Sequence, residues 1–325
     1  MSIRTQMPKF ILILMVKNEE KIIKRCLEAV EGIVDAYAFN DTGSTDKTVD
    51  IIQEFLEGRK GCIGLTTWKN FGHNRTMSFQ IARDYCVAAK MDLADTYGLL
   101  LDADMIFVPG ILKSCPLDSI GYTIIQSAGA LEYPNTRLIR MDYDWVCRGV
   151  THEYWDGECD KIPKSVCYID DHNDGGCKAD KFTRDLALLE KGLEEDPTNV
   201  RYMFYIAQTH HSMGNWEKAI EYYKRRIEAG GWYEEVWYSH YMIAKTYDVL
   251  KDPLKFEEWV QRAYEFHPRR AEAIYALAKY FRIKGDHYKA MHYIRLGKSI
   301  PMTTDSLFIE KDVILWSFRL RRDDL

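Results

Sequence analysis

The chain has 325 residues, which is enough for one large domain or two medium domains with a buried core. Its formal net charge of −5 argues against a general binder of polyanions, so we expect no nucleic-acid partner, although a local basic cluster could still hold a phosphate. No apolar run approaches the roughly 20 residues that span a bilayer. The run at 10–16 is too short and no small-residue cleavage site follows it, so a cytoplasmic protein without a membrane span is expected.

The eight cysteines are scattered, and none forms a C-x-x-C pair. In a chain of this size without an export signal, this pattern favours free thiols over a disulfide or zinc framework. The clustering of four cysteines between 147 and 177 keeps the framework alternative open.

The first half of the chain alternates short apolar runs with amphipathic stretches. The apolar runs predict strands over 10–16, 36–39, 62–68 and 97–104, and further strands of open pairing over 123–129 and 136–143. The amphipathic stretches predict helices over 21–30, 47–56 and 77–90. Strands that alternate with helices favour an α/β domain with a mostly parallel sheet and helices on both faces.

The second half, from about residue 181, loses the strand pattern and gains a helical repeat. Ala207, Ala244 and Ala278 recur at spacings of 37 and 34 residues, and GNWEKAIEYY (214–223) matches GDHYKAMHYI (285–294). Such a period is typical of stacked helix-turn-helix units, and it resembles tetratricopeptide repeats. We therefore predict an α/β domain over 1–180, and over 181–325 an all-α domain of about three repeats with a capping helix at 306–320.

Polar residues follow three predicted strands, at the sheet edge where open α/β proteins bind ligands. In LLLDADMIF, Asp102 and Asp104 are two residues apart, so their carboxylates face the same way if the strand continues. Such neighbours repel unless a cation or donor lies between them, and Mg²⁺ or Mn²⁺ is the cation that oxygen ligands and substrate phosphates suit. The plainer alternative is a solvated turn, which the three preceding leucines disfavour.

The stretch NDTGSTDKT (40–48) lies between a predicted strand and a predicted helix. Ser44 or Thr45 could cap that helix, and Asp46 suits its first turn. Asp41 precedes the cap, where a carboxylate could accept hydrogen bonds from a ribose or a base, and Gly43 permits positive φ. The first strand is not followed by G-x-G-x-x-G, which disfavours a dinucleotide site.

Taken in order, ILMVKNEE, NDTGSTDKT, NFGHNRT and LLLDADM resemble the motifs of family 2 glycosyltransferases with a GT-A fold, over about residues 10–184. That family uses nucleotide diphosphate sugars and a divalent cation, and inverts the anomeric centre. The resemblance implies a nucleotide-sugar site formed by Val16, Lys17, Asn18, Glu19, Asp41, Arg75, Asp102 and Ala103. It places the metal at Asp104, with Asp102 facing the ribose or the metal.

An inverting transfer needs a general base beside the acceptor. GVTHEYW resembles a His-Glu pair found late in the catalytic domain of glycosyltransferases fused to helical repeats, so we take Glu153 as the base. His152 would then orient the acceptor or bind metal. Asp144 and Asp142 are alternative bases, and a hydrogen-bonded structural pair is the alternative interpretation of His152 and Glu153.

The segment 170–184 is dense in charge and glycine. By the same resemblance His172 would complete the metal ligands, which would then be Asp104, Asp102 and His172. Lys178, Lys181 and Arg184 could meet the diphosphate near a helix start, where backbone N–H groups favour anions. This predicts a lid that orders on donor binding; a polar interdomain linker explains the same composition.

The leading hypothesis is a soluble, Mn²⁺- or Mg²⁺-dependent inverting glycosyltransferase. Its donor would be a nucleotide diphosphate sugar, with uridine diphosphate favoured by the family, and its acceptor a protein, a glycan or a small molecule. The first half is short for the family, so part of the acceptor site could come from the repeats. The alternatives are a nucleotidyltransferase, which would need a Gly- and Lys/Arg-rich loop that VKNEE lacks, and a repeat scaffold with a degenerate transferase domain.

Overall fold

The structure is a computed structural model that describes residues 7–129, 131–175, 181–301, 303–305, 307–310 and 313. The chain divides into two compact units, Met1–Lys181 and Phe182–Leu325. The cysteines among the described residues are free thiols, as the sequence predicts. No helix among the described residues is long and apolar enough to cross a membrane.

The first unit is an α/β domain. Its strands are β1 (Lys9–Val16), β2 (Ala36–Asp41), β3 (Gly61–Leu65), β4 (Thr96–Leu101), β5 (Met105–Val108), β6 (Gly121–Ala128), β7 (Leu131–Arg140), β8 (Cys147–Arg148), β9 (Tyr154–Trp155), β10 (Asp160–Lys161) and β11 (Tyr168–Asp171). Its helices are α1 (Ile23–Val30), α2 (Thr48–Leu56) and α3 (Phe71–Ala88), with a short 3-10 helix at Leu112–Ser114.

The main sheet has the strand order β3-β2-β1-β4-β7-β6-β11-β5, and β10 also pairs with β6. The pairs β1–β2, β1–β4 and β2–β3 are parallel, as the alternating pattern predicts. Beyond β4 the sheet becomes mixed, because β7 runs antiparallel to both β4 and β6. The predicted α/β class is therefore confirmed, and the sheet is parallel over strands β1 to β4.

Strand β1 is buried on both faces, which explains its uninterrupted apolar sequence. Phe10, Leu12 and Leu14 pack in one core cluster with side chains of α1 and α2. Ile11 and Ile13 pack in a second cluster with side chains of α3. Helices thus cover both faces of the sheet.

The parallel pairing brings several strand ends to one edge of the sheet. Val16 pairs with Asp41, Asp41 pairs with Leu65, and Leu14 pairs with Leu101. The loops that begin at Lys17, Thr42 and Asp102 therefore leave the sheet side by side. We call this the carboxyl edge.

The second unit is all-α. It contains α4 (Lys181–Glu195), α5 (Val200–Ser212), α6 (Trp216–Ala229), α7 (Tyr233–Val249), α8 (Pro253–Phe266), α9 (Ala271–Ile283) and α10 (His287–Ser299). The pairs α5–α6, α7–α8 and α9–α10 correspond to the three predicted repeats. Gly214 and Gly285 adopt φ of 76° and 77° in the first and third inter-helix turns, and Lys251 adopts 59° in the second.

The predicted capping helix at 306–320 lies mostly outside the described residues. Residues 307–310, which are described, are not helical. The start predicted for that helix is therefore wrong, and these residues instead make hydrogen bonds with α7 and with Arg270, which precedes α9.

Candidate functional site

The loops after β1 and β2 are joined at the carboxyl edge by direct hydrogen bonds. The backbone N–H of Asn18 donates to Ser44 Oγ (2.9 Å), and that of Thr45 donates to Asn18 Oδ1 (2.7 Å). Glu19 N–H donates to Thr48 Oγ1 at 2.7 Å. Asn18 has φ of 57°, a left-handed conformation that asparagine tolerates better than most residues. The two loops therefore form one connected surface.

This arrangement corrects the expected roles of Ser44 and Thr45. The N-cap residue of α2 is Lys47, and its side chain makes no capping hydrogen bond. Ser44 and Thr45 instead form hydrogen bonds with Asn18 in the β1 loop. Asp46 does serve the start of the helix, because its Oδ1 accepts from the Thr48 N–H at 2.9 Å. Its second oxygen accepts from Glu20 N–H, which ties the helix start to the β1 loop.

Asp41 is buried to 4% exposure at the end of β2. Its carboxylate accepts from the backbone N–H groups of Gly43 and Ser44 at 3.0 Å each. Gly43 adopts φ of 103°, as the sequence suggested. Asp41 thus shapes its own turn, and contact with a nucleotide stays a prediction.

Buried amides organise the start of α3, within the NFGHNRT motif. Asn40 Nδ2 donates to Asn74 O and to Ser78 Oγ, while Asn40 Oδ1 accepts from Thr66 Oγ1 at 2.7 Å. Asn74 in turn donates to Thr67 O at 3.0 Å. The network fixes the loop after β3, and with it the helix that carries Arg75.

Asp102 lies between two arginines at the end of β4. Its Oδ1 accepts from Arg75 at 2.8 Å, and its Oδ2 lies 3.4 Å from the guanidinium of Arg137. Burial by itself would raise the pKa of Asp102, but the two guanidinium groups outweigh it and lower the pKa to about 2. Asp102 is therefore an ionised carboxylate whose negative charge is balanced by the guanidinium groups of Arg75 and Arg137.

Asp104 has a different environment, although it is only two residues away. Burial, together with the negative charges of Asp102 and Asp171, raises its pKa. The N–H of Gly175 approaches its Oδ2 at 3.3 Å. Asp104 is thus a carboxylate in excess negative potential, which is the electrostatic condition that a bound cation relieves.

The structure does not bring Asp102, Asp104 and His172 together as three metal ligands. The imidazole of His172 lies 3.4 Å from Asp170, and Asp102 is occupied by arginines. Within the described residues no group of three or more His, Cys, Asp or Glu side chains has a metal-binding arrangement. Asp104 could supply one carboxylate ligand to a cation, with water and ligand phosphates as the remaining oxygens, and a bound metal stays a prediction.

Glu153 lies beside Arg75, with Arg75 Nε donating to Glu153 Oε1 at 2.6 Å. The loop that carries Glu153 docks on the start of α3 through Phe71 N–H to Val150 O (3.1 Å) and Gly72 N–H to Gly149 O (3.0 Å). A Cβ on Gly72 would lie 2.4 Å from Gly149 O, so only glycine allows this approach. His152, which precedes Glu153, adopts φ of 50°.

The alternative bases lie elsewhere. Strand β7 pairs Arg140 with Tyr97, near the start of β4, so residues beyond Arg140 emerge at the sheet edge opposite the carboxyl edge. Asp142 pairs there with Arg140, and Asp144 pairs with Arg83. Among the predicted bases, Glu153 is the one beside Asp102 and Arg75.

The sequence patterns did not predict Arg137. It is 6% exposed, contacts Asp102, and donates to Gln126 Oε1 at 2.8 Å. Gln126 Nε2 in turn donates to Asp171 Oδ2 at 2.7 Å. A buried arginine requires a counter-ion, and in TRLIRMDY the position of Arg137 beside the buried Leu138 and Ile139 was the available signal.

The remaining predicted residues are placed as follows. Val16 is buried at the end of β1 and Ala103 is buried between the two aspartates, while Lys17 is exposed. Lys181 and Arg184 lie in the first turn of α4, where Arg184 pairs with Asp185. Lys178 lies outside the described residues, so the predicted lid stays a prediction.

Residues 11–115 match the family model described as glycosyl transferase family 2. These residues contain every strand end and loop of the carboxyl edge up to Asp104. The region of the first unit that forms the carboxyl edge is therefore similar to family 2 glycosyltransferases. Residues 188–221 match a tetratricopeptide repeat model, so both resemblances noted in the sequence are confirmed.

Two curated relatives are similar to the chain. They are the SPbeta prophage-derived glycosyltransferase SunS of Bacillus subtilis (strain 168) and the glycosyltransferase SunS of Bacillus phage SPbeta. Each is 26% identical over 224 residues, which covers 66% of this chain. The chain spans about half the length of these relatives, 52% in each case.

Solved structures with similarity to the chain include a crystal structure of MamA, with 23% identity, a TM-score of 0.33, and coverage of 38% of this chain and 70% of that one. YrrB, described as a TPR protein with an unusual peptide-binding site, has 18% identity and a TM-score of 0.31. It is covered over 60% of its length, against 37% of this chain.

Proposed function

We propose that the protein is a glycosyltransferase that moves a sugar from a nucleotide diphosphate sugar to an acceptor. The observation that carries this proposal is the family 2 match over residues 11–115, because it covers the strand ends that form the connected carboxyl edge. The curated relatives are also called glycosyltransferases. We take the donor to be a uridine diphosphate sugar, and the acceptor to be a protein, a glycan or a small molecule.

The nucleoside would bind on the surface that Asn18 and Ser44 join. Asp41 shapes the turn beneath this surface, and Arg75 and Arg137 supply positive charge behind Asp102. Rigid loops suit this role, since binding then requires little ordering of the protein.

Asp104 would hold a Mn²⁺ or Mg²⁺ ion, which would stabilise the negative charge of the leaving diphosphate. The raised pKa of Asp104 supports this role, because a carboxylate in negative potential gains most from a cation. In this proposal Asp102 stays with its arginines and orients the donor.

Glu153 is the proposed general base. Arg75 anchors its Oε1 at 2.6 Å, which fixes the orientation of the carboxylate. Among the described residues no hydrogen bond to Oε2 is formed, so this oxygen could accept the proton of the attacking acceptor group. Attack opposite the leaving diphosphate inverts the anomeric centre.

The first experiment measures thermal stability with a panel of nucleoside diphosphates, with Mn²⁺ and with chelator. A ligand at 100 times its dissociation constant adds roughly 2.7 kcal/mol of stability. We expect a metal-dependent shift with one nucleotide, lost in Asp104→Ala and retained in Asp144→Ala, a matched change at the opposite edge. The matching sugar nucleotides are then tested for turnover and product anomer.

Failure to bind any nucleotide, in protein shown to be folded, would favour the repeat-scaffold alternative. Release of pyrophosphate from a nucleoside triphosphate, without use of any sugar nucleotide, would favour a nucleotidyltransferase.

A further inference from the structure

A network of polar side chains joins strands β6, β7 and β11 next to the two aspartates of the carboxyl edge. Gln126 on β6 lies at its centre and is 2% exposed. Its Nε2 donates to Asp171 on β11 at 2.7 Å, and its Oε1 accepts from Arg137 on β7 at 2.8 Å. Arg137 also lies 3.4 Å from Asp102. The network is therefore in direct contact with the proposed site.

Arg137 belongs to this network because β7 carries a β-bulge. Thr136 pairs with Thr123 and Leu138 pairs with Tyr122, so Arg137 is an extra residue without a partner of its own on β6. Bulges change the direction of a side chain, and they are over-represented next to active sites. The pairing of β6 with β7 is thus adapted to place a charged side chain at the end of β4.

Tyr133 lies beside this network. It pairs directly with Gln126 across β7 and β6, so the two side chains share one face of the sheet. Paired residues of this kind have Cβ atoms about 4.5–5.5 Å apart. Burial and the negative charge of Asp171 raise the pKa of Tyr133, and Asp102 and Asp104 add to this effect. The phenol therefore lies close to the carboxylates of the site.

The side chains of Asp171 and Gln126 are held by protein partners, whereas the hydroxyl of Tyr133 is not. Asp171 uses both oxygens, because its Oδ1 accepts from the N–H of Asn173 at 2.9 Å and its Oδ2 accepts from Gln126. Over the part of the chain that the structure describes, Tyr133 Oη makes no hydrogen bond with another residue. This partly buried hydroxyl thus has one donor and two lone pairs left for a ligand.

The charges near Tyr133 decide which part of a sugar nucleotide suits it. Asp102 is balanced by arginines, so Asp104 and Asp171 dominate the potential at the phenol, and that potential is negative. A diphosphate is repelled there unless a cation lies between the charges. The transferred sugar is uncharged, and each of its hydroxyl groups can both donate and accept a hydrogen bond. The sugar is therefore the part of the donor that fits beside Tyr133.

We propose that Tyr133 is a specificity-determining residue for the donor, and that its hydroxyl binds one hydroxyl group of the transferred sugar. This role rests on the proposed function and narrows the donor class to sugars that carry a free hydroxyl at that position. A site that hydrogen-bonds a substrate hydroxyl rejects the analogue that lacks it, because the protein group is then left without a partner.

The test compares Tyr133→Phe with the wild type by isothermal titration calorimetry in the presence of Mn²⁺. The ligands are uridine diphosphate and its glucose, galactose and N-acetylglucosamine derivatives; if the nucleotide panel selects another base, the corresponding derivatives replace them. We expect the variant to bind the preferred sugar nucleotide about 3- to 10-fold more weakly, the effect of losing one uncharged hydrogen bond. Its affinity for the nucleoside diphosphate and its thermal midpoint without ligand should not change.

Tyr143→Phe is the matched control. Tyr143 is 38% exposed and follows β7 at the sheet edge opposite the carboxyl edge, so its hydroxyl cannot reach the same ligand. This variant should bind the nucleoside diphosphate and the sugar nucleotide as the wild type does. A loss of sugar affinity equal to that of Tyr133→Phe would show that the effect is not specific to the site and would overturn the proposal.

Monodeoxy analogues of the preferred donor separate a direct contact from an effect on the shape of the site, because they complete a thermodynamic cycle with Tyr133→Phe. The analogue that lacks the contacted hydroxyl should bind the wild type more weakly than the parent donor does. It should bind the wild type and the variant equally. If Tyr133→Phe instead weakens the parent donor and every analogue by the same factor, Tyr133 contacts no sugar hydroxyl.

The failure of this role and the failure of the proposed function give different results. Wild type that binds the nucleoside diphosphate, together with a Tyr133→Phe variant of unchanged affinity for the sugar nucleotide, would remove the role of Tyr133 and leave the glycosyltransferase proposal intact. Folded wild type that binds no nucleotide of the panel would overturn both.

Discussion

Arg75 Nε donates a 2.6 Å hydrogen bond to Glu153 Oε1, and this bond joins α3 to the loop that follows β8. The same guanidinium binds Asp102 at 2.8 Å. The bond joins two residues that are 78 positions apart in the chain, and the Arg75 side chain thus holds both Glu153 and Asp102. Substitutions of Glu153 and of Arg75 should therefore have different effects on the proposed site.

Glu153→Gln should remove the proposed base while preserving side-chain size. We expect transfer to fall by about 10²- to 10⁴-fold, the usual contribution of general base catalysis. The thermal midpoint should fall less than in Arg75→Met, because Arg75 keeps Asp102 as a counter-ion. Nucleotide release from the donor is the assay, and Asp144→Asn is the control that should keep full activity. Near-normal turnover in Glu153→Gln would exclude this residue as the base.

Arg75→Met should destabilise the fold as well as the site. Glu153 would lose the arginine that binds it, and Asp102 would keep only Arg137. Breaking a buried ion pair typically costs about 3–5 kcal/mol. Arg83→Met on the same helix should cost less than about 1 kcal/mol, because its partner Asp144 is 87% exposed. Urea unfolding of both variants makes the comparison, and equal losses would contradict it.

Gly72→Ala should displace the loop that carries Glu153. The added Cβ would meet Gly149 O at 2.4 Å and Cys147 O at 2.8 Å, and both are backbone atoms that cannot rotate away. We expect a loss of about 1–3 kcal/mol in stability and a fall in turnover. Gln80→Ala, at an exposed position of α3, is the control; a Gly72→Ala variant with wild-type stability would refute the close approach.

The stability of the protein in acid should depend on Asp102. Its pKa is lowered from 3.8 to about 2, so the ionised group stabilises the fold above pH 3.8 and this contribution is lost as the pH falls through about 2. Relative to Asp102→Asn, the wild type should lose on the order of 2 kcal/mol of unfolding free energy between pH 5 and pH 2. A constant difference between the two proteins over this range would show that the arginines do not lower the pKa.

Buried thiols should be unreactive in the folded protein. Burial raises the pKa of Cys26 and of Cys167 from 9.0 to about 12, and the thiolate is the reactive form. At pH 8 we expect iodoacetamide to modify both at least about 100-fold more slowly in the native protein than in urea. Peptide mass spectrometry gives the rates, with Cys115, which is only partly buried, as the internal reference.

The sequence by itself determined most strands and helices of the first unit, and it determined that the polar loops after β1, β2 and β4 meet at the carboxyl edge. Alternating apolar runs and amphipathic stretches define β1 to β4 and α1 to α3, because local periodicity reflects which faces are buried. Parallel strands then require that the residues after β1, β2 and β4 meet at one edge. The helical period of the second unit was equally visible, since its small and aromatic residues recur at fixed spacing.

Only the tertiary structure decided which side chains pair. Ser44 and Thr45 have the composition of a helix cap, yet they bind the β1 loop, because their partners lie about 26 positions away in the chain. Asp102 and Asp104 look alike in sequence, but Arg75 and Arg137 bind the first alone and lower its pKa. Burial and the neighbouring carboxylates raise the pKa of Asp104. Arg137 reaches Asp102 through the antiparallel pairing of β4 with β7, and no local pattern specifies such a non-local contact.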